Sequence, residues 1–216
     1  MKGLKIKDAL DYELIFTSFH EAAHAICALY NFFQVFNVNV RAIDAKTREE
    51  KDGATNWYIT KYVEDTELKK TVLVFELQAM YAGLLGERIL YKYISGSPKL
   101  PMNLKVGLSY DIKIASNIIR NNNLADPGKD TANFKKNIQK KTEKILLDHW
   151  EDVRLVAHTL HKKRKLSFNE LKQLLTKKIP NKVFWKDRFS KIEKIYVYDG
   201  DNHPTEDIIK KIILNK

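Results

Sequence analysis

The chain has only one cysteine and no long apolar segment, and both features limit the classes of protein to which it can belong. Cys27 is the only cysteine among 216 residues, so no intrachain disulfide can form. The longest uninterrupted apolar run, residues 79–86, has eight residues, whereas a membrane-spanning helix needs about twenty. No secretory apolar segment precedes the first predicted helix. We therefore expect a soluble, cytoplasmic protein without an integral membrane segment.

A phosphate-binding loop is also missing. The nearest candidate, residues 128–130, lacks the upstream glycine and the following serine or threonine that such a loop requires. The net charge of +11 would permit contact with nucleic acid. However, the lysines are spread over most of the predicted helices and are not interleaved with aromatic residues in one motif. We expect a solvated basic surface, and nucleic-acid binding stays a secondary alternative that steeply salt-dependent affinity would reveal.

The hydrophobic content of 44% is enough for a compact core, and the pattern predicts a mainly α protein with one β hairpin. Residues 35–43 alternate, which would place Phe36 and Val38 on one side of a strand and Asn37 on the other. A second β-prone run at residues 55–63 completes a hairpin with a long polar tip. Its edge could hold an extended peptide, although covering the core is an equally good interpretation.

The remaining chain is predicted to be helical in its larger part. Helices are predicted at residues 12–30, 66–94 and 131–165, a capping box at 167–170 opens another, and a strand at 194–199 and a helix at 206–214 follow Pro180.

The most specific signal is His20-Glu21-Ala22-Ala23-His24, an H-E-x-x-H pattern inside the first predicted helix. Residues four apart lie one turn apart on the same helix face, so both imidazoles can bind one metal ion. This spacing suits zinc, and it places the Glu21 carboxylate beside the metal as a candidate general base. The pattern therefore predicts a metal-dependent hydrolase.

A catalytic zinc usually has three protein ligands, so a third must come from elsewhere in the chain. Glu87 is one candidate, and it would otherwise be a helix-surface carboxylate. Asp111 is the other, and it would otherwise be an acid in the first turn of a helix, stabilised by the helix dipole. The residues alone leave both candidates open.

In order and approximate spacing, several segments resemble the peptidase domain of the FtsH-type AAA+ zinc metalloproteases. The resemblance rests on residues 19–25, 82–87, 107–115, 145–150 and 166–171, and it covers roughly residues 12–176. It implies a helical, zincin-like metallopeptidase fold. It also implies that His20, His24 and Asp111 bind zinc, that Glu21 is the catalytic base, and that Glu87 is a supporting group.

The resemblance implies a zinc-dependent endopeptidase that cleaves unfolded or exposed protein segments by attack of a zinc-bound water. Residues 1–179 would form the peptidase domain and residues 180–216 an appendage of unknown role. With Met1 only nineteen residues before His20, we expect no ATPase domain, so hydrolysis would be ATP-independent or would rely on a separate unfoldase. The main alternative is a non-catalytic, metal-stabilised module that binds a protein partner. Against it, binding alone does not require Glu21.

Overall fold

The computed structural model describes residues 9–40, 53–58, 63–97, 108–125, 131–177, 182–196 and 206–214. Within these ranges the protein is mainly α-helical with a small antiparallel sheet, as predicted. The helices are α1 (Ala9–Tyr30), α2 (Thr66–Ser95), α3 (Leu108–Asn121), α4 (Thr131–Asp148), α5 (Trp150–Lys163), α6 (Phe168–Lys177), α7 (Lys182–Tyr196) and α8 (Glu206–Leu214). The strands are β1 (Gln34–Asn39), β2 (Ala54–Tyr58) and β3 (Lys165–Ser167). None of the helices in the described ranges combines the length and apolar character that crossing a membrane requires.

The helix α1 runs through the centre of the core. From Phe19 to Leu29 every residue is buried, and it packs against α2, α5 and the sheet. A helix that is covered on all sides has no polar face to give to solvent, which explains its nearly continuous apolar sequence. The polar side chains of the H-E-x-x-H pattern are therefore interior groups that need partners.

The helix α2 confirms the predicted helix at residues 66–94. It begins at an N-cap, where the Asp65 side chain accepts a hydrogen bond from the Leu68 amide, and it ends at Gly96 with a φ of 72°. It comes very close to α1, because a Cβ at Gly86 would lie only 2.6 Å from Cβ of Ala23. This close approach brings the side chains of α2 against the histidines of α1.

The sheet has the order β2-β1-β3, with β1 antiparallel to both neighbours. The hairpin of β1 and β2 is as predicted, although most of its polar tip falls outside the described residues. The predicted alternation was wrong at Phe36, which is 47% exposed while Val35 and Val38 are both buried. The reason is a register shift between Val35 and Asn37, a bulge whose extra residue turns away from the core.

The predicted helix at 131–165 was wrong in its continuity and in its last residue. Two helices, α4 and α5, meet at His149, and Lys165 belongs to the short strand β3. The interruption carries no proline or glycine. Its stabilisation is tertiary, since Oδ2 of the buried Asp152 lies 2.8 Å from Nδ1 of His149 and accepts a hydrogen bond from Nε1 of Trp185 in α7.

The C-terminal part contains one further correction. Residues 194–196 belong to α7, so the strand predicted at 194–199 was wrong there, and residues 197–199 lie outside the described ranges. Burial explains the helix, because Trp185, Phe189, Ile192 and Ile195 form one apolar stripe that packs into the core. The helix predicted at 206–214 is confirmed as α8. The division of the chain at residue 180 stays a prediction.

Candidate metal centre

His20 and His24 lie on one face of α1 and are buried among the helices. Their ring centroids are 4.6 Å apart, and their Nε2 atoms approach each other to 2.9 Å. The spacing of four residues alone brings the rings together, as the sequence predicted. Each ring then has its second nitrogen, Nδ1, available for a different partner.

The partners of the Nδ1 atoms determine which nitrogens carry hydrogen. Nδ1 of His24 lies 2.7 Å from the main-chain oxygen of Ala79, which can only accept, so this Nδ1 donates. Nδ1 of His20 donates in the same way to Oε1 of Glu87 at 2.8 Å. In neutral imidazoles with these tautomers, both Nε2 atoms are lone-pair acceptors. Two acceptors therefore point towards the same small volume.

Asp111 supplies a third acceptor to this volume. It lies in the first turn of α3, as predicted, and its Oδ2 is 3.2 Å from Nε2 of both His20 and His24. Burial alone would raise the pKa of Asp111, but when the imidazoles carry a proton on Nε2 in place of a metal, their hydrogen bonds and charge outweigh burial and hold the pKa well below its ordinary value. The carboxylate is thus kept in the ionised form that a metal ligand requires.

Three converging acceptors need a cation between them. The separations of 2.9, 3.2 and 3.2 Å are close to the roughly 3.3 Å between ligands of a tetrahedral zinc with bonds of about 2.0–2.1 Å. Without a metal, a proton must serve instead. Burial by itself lowers the pKa of His20, yet its carboxylate neighbours, Asp111 and Glu87 first, hold that pKa well above the ordinary value. The group His20, His24 and Asp111 fits a metal ion.

Glu87 lies on the opposite side of the His20 ring from the converging atoms. Its Oε1 accepts from Nδ1, and its Oε2 is buried without a hydrogen-bond partner in the described structure. The geometry therefore separates the two candidates for third ligand: Asp111 faces Nε2, and Glu87 orients the ring from behind. A carboxylate in this position fixes the tautomer of a metal-binding histidine and increases its basicity.

Gly83 provides the space beside the imidazoles. A Cβ at this position would lie 2.5 Å from Nε2 of both His20 and His24. The sequence prediction gave Gly83 no role. The signal was nevertheless present, because glycine costs about 1 kcal/mol in a helix interior relative to alanine and usually marks a close approach there.

Glu21 is buried beside the histidines, at 5% exposure, under the strand β2. Its Oε2 accepts a hydrogen bond of 2.7 Å from Oγ1 of Thr55. Two residues further along the same strand, the indole of Trp57 packs on the His24 ring with centroids 5.7 Å apart. Sequence reasoning predicted the hairpin but did not identify Thr55 or Trp57, because contacts between separate elements leave no periodic signal.

Comparison with known proteins yields no family assignment, since no family model and no curated protein matches the sequence. The resemblance to FtsH-type peptidases therefore stays a prediction. The functional argument rests on the geometry of the site.

Proposed function

We propose that this protein is a zincin-like, zinc-dependent endopeptidase. The observation that carries the proposal is the convergence of Nε2 of His20, Nε2 of His24 and Oδ2 of Asp111, next to the buried carboxylate of Glu21. Two histidines and one carboxylate are a common ligand set of catalytic zinc sites, which keep a fourth position open. Purely structural zinc sites are usually closed by four protein ligands and have no use for an adjacent glutamate.

When bound, zinc would act as a Lewis acid that lowers the pKa of a water towards about 7 and polarises the scissile carbonyl. The protein groups have separate tasks. Glu21 accepts the proton of the attacking water and later delivers it to the departing amine. Glu87 and the Ala79 carbonyl hold the two imidazoles in the tautomers that present Nε2.

The substrates we propose are unfolded or exposed protein segments. Among the described strands, β2 pairs only with β1, so its other edge carries main-chain groups that can bind an extended peptide. The inward face of the same strand contacts Glu21 and His24 through Thr55 and Trp57. A peptide added to this edge would be held by main-chain hydrogen bonds, which impose little sequence preference.

Glu21→Gln tests the proposal against Glu13→Gln, a matched control at an exposed position two turns earlier on α1. Zinc content and cleavage of labelled casein are measured for the wild type and both variants, without nucleotide. We expect about one zinc per chain in all three proteins, and cleavage in the wild type and Glu13→Gln only.

Each other result has a defined meaning. Undiminished cleavage by the metal-loaded Glu21→Gln protein would refute the role of Glu21. A wild type without zinc would refute the metal centre. Zinc in all three proteins with no cleavage would refute an endopeptidase that acts alone, and would favour the metal-stabilised binding module or a requirement for a separate unfoldase.

A further inference from the structure

The hydroxyl of Thr55 is bound to the residue that we propose as general base. Its Oγ1 lies 2.7 Å from Oε2 of Glu21 and 3.0 Å from the main-chain oxygen of the same residue. Both oxygens accept, so the hydroxyl is the donor. A hydrogen bond to an ionised carboxylate is shorter and stronger than one to a neutral carbonyl, so the hydrogen is directed mainly to Oε2.

Gly53 lies beside the other oxygen, Oε1, of the same carboxylate. A Cβ at this position would lie 2.3 Å from Cγ and 2.6 Å from Oε1 of Glu21. Of the described glycines only Gly96 has a positive φ, so the backbone of Gly53 does not itself demand glycine. Glycine is needed at position 53 because the chain passes so close to Glu21 that a Cβ would collide with its side chain.

The alternation of burial along residues 53–57 explains why Gly53 and Thr55 both face Glu21. Gly53, Thr55 and Trp57 are half-buried and lie two residues apart, whereas Ala54 and Asn56 between them are exposed. Side chains two apart point to the same face of a strand. Gly53, which immediately precedes β2, and Thr55 therefore cover Glu21, and Trp57 covers His24.

We propose that Thr55 is a positioning residue for Glu21, an inference that rests on the proposed peptidase function. Thr55 engages Oε2, while Oε1 has no hydrogen-bond partner among the described residues and is left to act as the base. As the water attacks, its O–H bond breaks and the proton passes to Oε1. The water oxygen bonds to the carbonyl carbon, and the π pair of the C=O bond moves onto the carbonyl oxygen. That pair then re-forms the C=O bond as the C–N bond breaks, and the proton moves from Oε1 to the departing nitrogen.

Thr55→Val tests the inference because it removes the hydroxyl and keeps the shape and β propensity of the side chain. Thr55→Ser keeps the hydroxyl. Thr71→Val on α2 is the control, since it removes a hydroxyl whose one hydrogen bond among the described residues is to the carbonyl of Glu67. We expect Thr55→Val to lower kcat for labelled casein about tenfold, with KM changed less than about twofold. Thr55→Ser should recover most of kcat, and Thr71→Val should match the wild type.

A merely structural hydroxyl would give a different pattern: lower thermal stability in Thr55→Val with an unchanged kcat for the folded protein. That result, or a Thr55→Ser protein as slow as Thr55→Val, would overturn the inference. Gly53→Ala is a second variant that should also lower kcat at unchanged zinc content, because the added methyl group would displace Cγ and Oε1 of Glu21.

A readout independent of turnover separates this inference from the proposed function. In crystal structures of the zinc-loaded proteins, the Glu21 carboxylate should occupy one orientation in the wild type and in Thr55→Ser, and should be rotated or split between orientations in Thr55→Val. A wild type that binds zinc but cleaves nothing would refute an endopeptidase that acts alone, and the carboxylate orientation would still decide the role of Thr55. An identical orientation of the Glu21 carboxylate in Thr55→Val and the wild type would refute the positioning role of Thr55.

Discussion

A Gly83→Ala substitution would place a methyl group 2.5 Å from Nε2 of both His20 and His24. Ordinary contact needs roughly 3.5 Å, so each ring would have to move by about 1 Å. Metal–ligand distances tolerate deviations of only about 0.2 Å. The rings are also held from behind by Glu87 and the Ala79 carbonyl, so they cannot withdraw without losing those hydrogen bonds.

We expect the substitution to weaken zinc binding at least about a hundredfold, the upper end of the effect of disturbing groups around a metal site. At a zinc concentration a thousand times the wild-type Kd, the metal stabilises the fold by about 4 kcal/mol. A hundredfold weaker site would retain only about 1.4 kcal/mol at the same concentration. The metal-free variant gains about 0.5–1 kcal/mol of helix propensity, which partly offsets the crowding.

The assay is thermal unfolding with and without zinc, together with zinc affinity from competition with a chelator of known affinity. Gly96→Ala is the matched control, because Gly96 ends the same helix with a φ of 72° and no atom of the described residues lies within 4 Å of its Cβ position. It should cost about 1 kcal/mol of stability and leave the zinc affinity unchanged. Wild-type zinc affinity in Gly83→Ala would refute the proposed position of the metal.

Three other substitutions test separate parts of the structure. Glu87→Gln should weaken zinc binding about tenfold, because it removes the charge that increases the basicity of His20; the chelator competition would show no change if Glu87 were only structural. Burial raises the pKa of Glu76 from 4.5 to about 7, so the folded protein holds a proton that the unfolded chain has released. The wild type therefore loses stability as the pH rises from about 4.5 to 7. In urea unfolding, Glu76→Gln should be more stable than the wild type by about 2 kcal/mol at pH 8 but not at pH 4. An equal effect at both pH values would exclude this titration as the cause. Ser167→Ala should cost about 1 kcal/mol in thermal unfolding at pH 7, because it removes the hydroxyl that accepts from the Glu170 amide; no loss would show that the capping box is dispensable.

Local signals in the sequence were sufficient for the elements that carry the candidate ligands. A spacing of four residues on a helix is enough to pair His20 with His24. The helix predicted at residues 66–94, which carries Glu87, agrees with α2 to within one residue. The first-turn position of Asp111 followed from the sequence as well. What the sequence left open was which ring nitrogen of His20 each acid would approach, since that depends on how α2 and α3 pack against α1.

The features that sequence reasoning missed depend on tertiary contacts. The helix interruption at His149 has no local breaker and is stabilised by Asp152 and Trp185, which is 36 residues away in the chain. The bulge at Phe36 arises where β1 must match a partner strand. The helix α7 was missed for a different reason: no element was predicted at residues 182–193, although the apolar residues of that segment have helical spacing.

Charge balance supports the proposal that this centre holds a metal ion and not only a proton. The described structure places three acids, Glu21, Glu87 and Asp111, around two buried imidazoles. With the acids ionised and the imidazoles neutral, the formal charge of the cluster is −3. A proton on His20 reduces it to −2, whereas a divalent cation reduces it to −1 and also meets all three converging acceptors at once. Buried charges without compensation are costly, so metal binding and stability should be coupled, and chelation of the metal should lower the thermal midpoint of the wild type far more than that of Gly83→Ala.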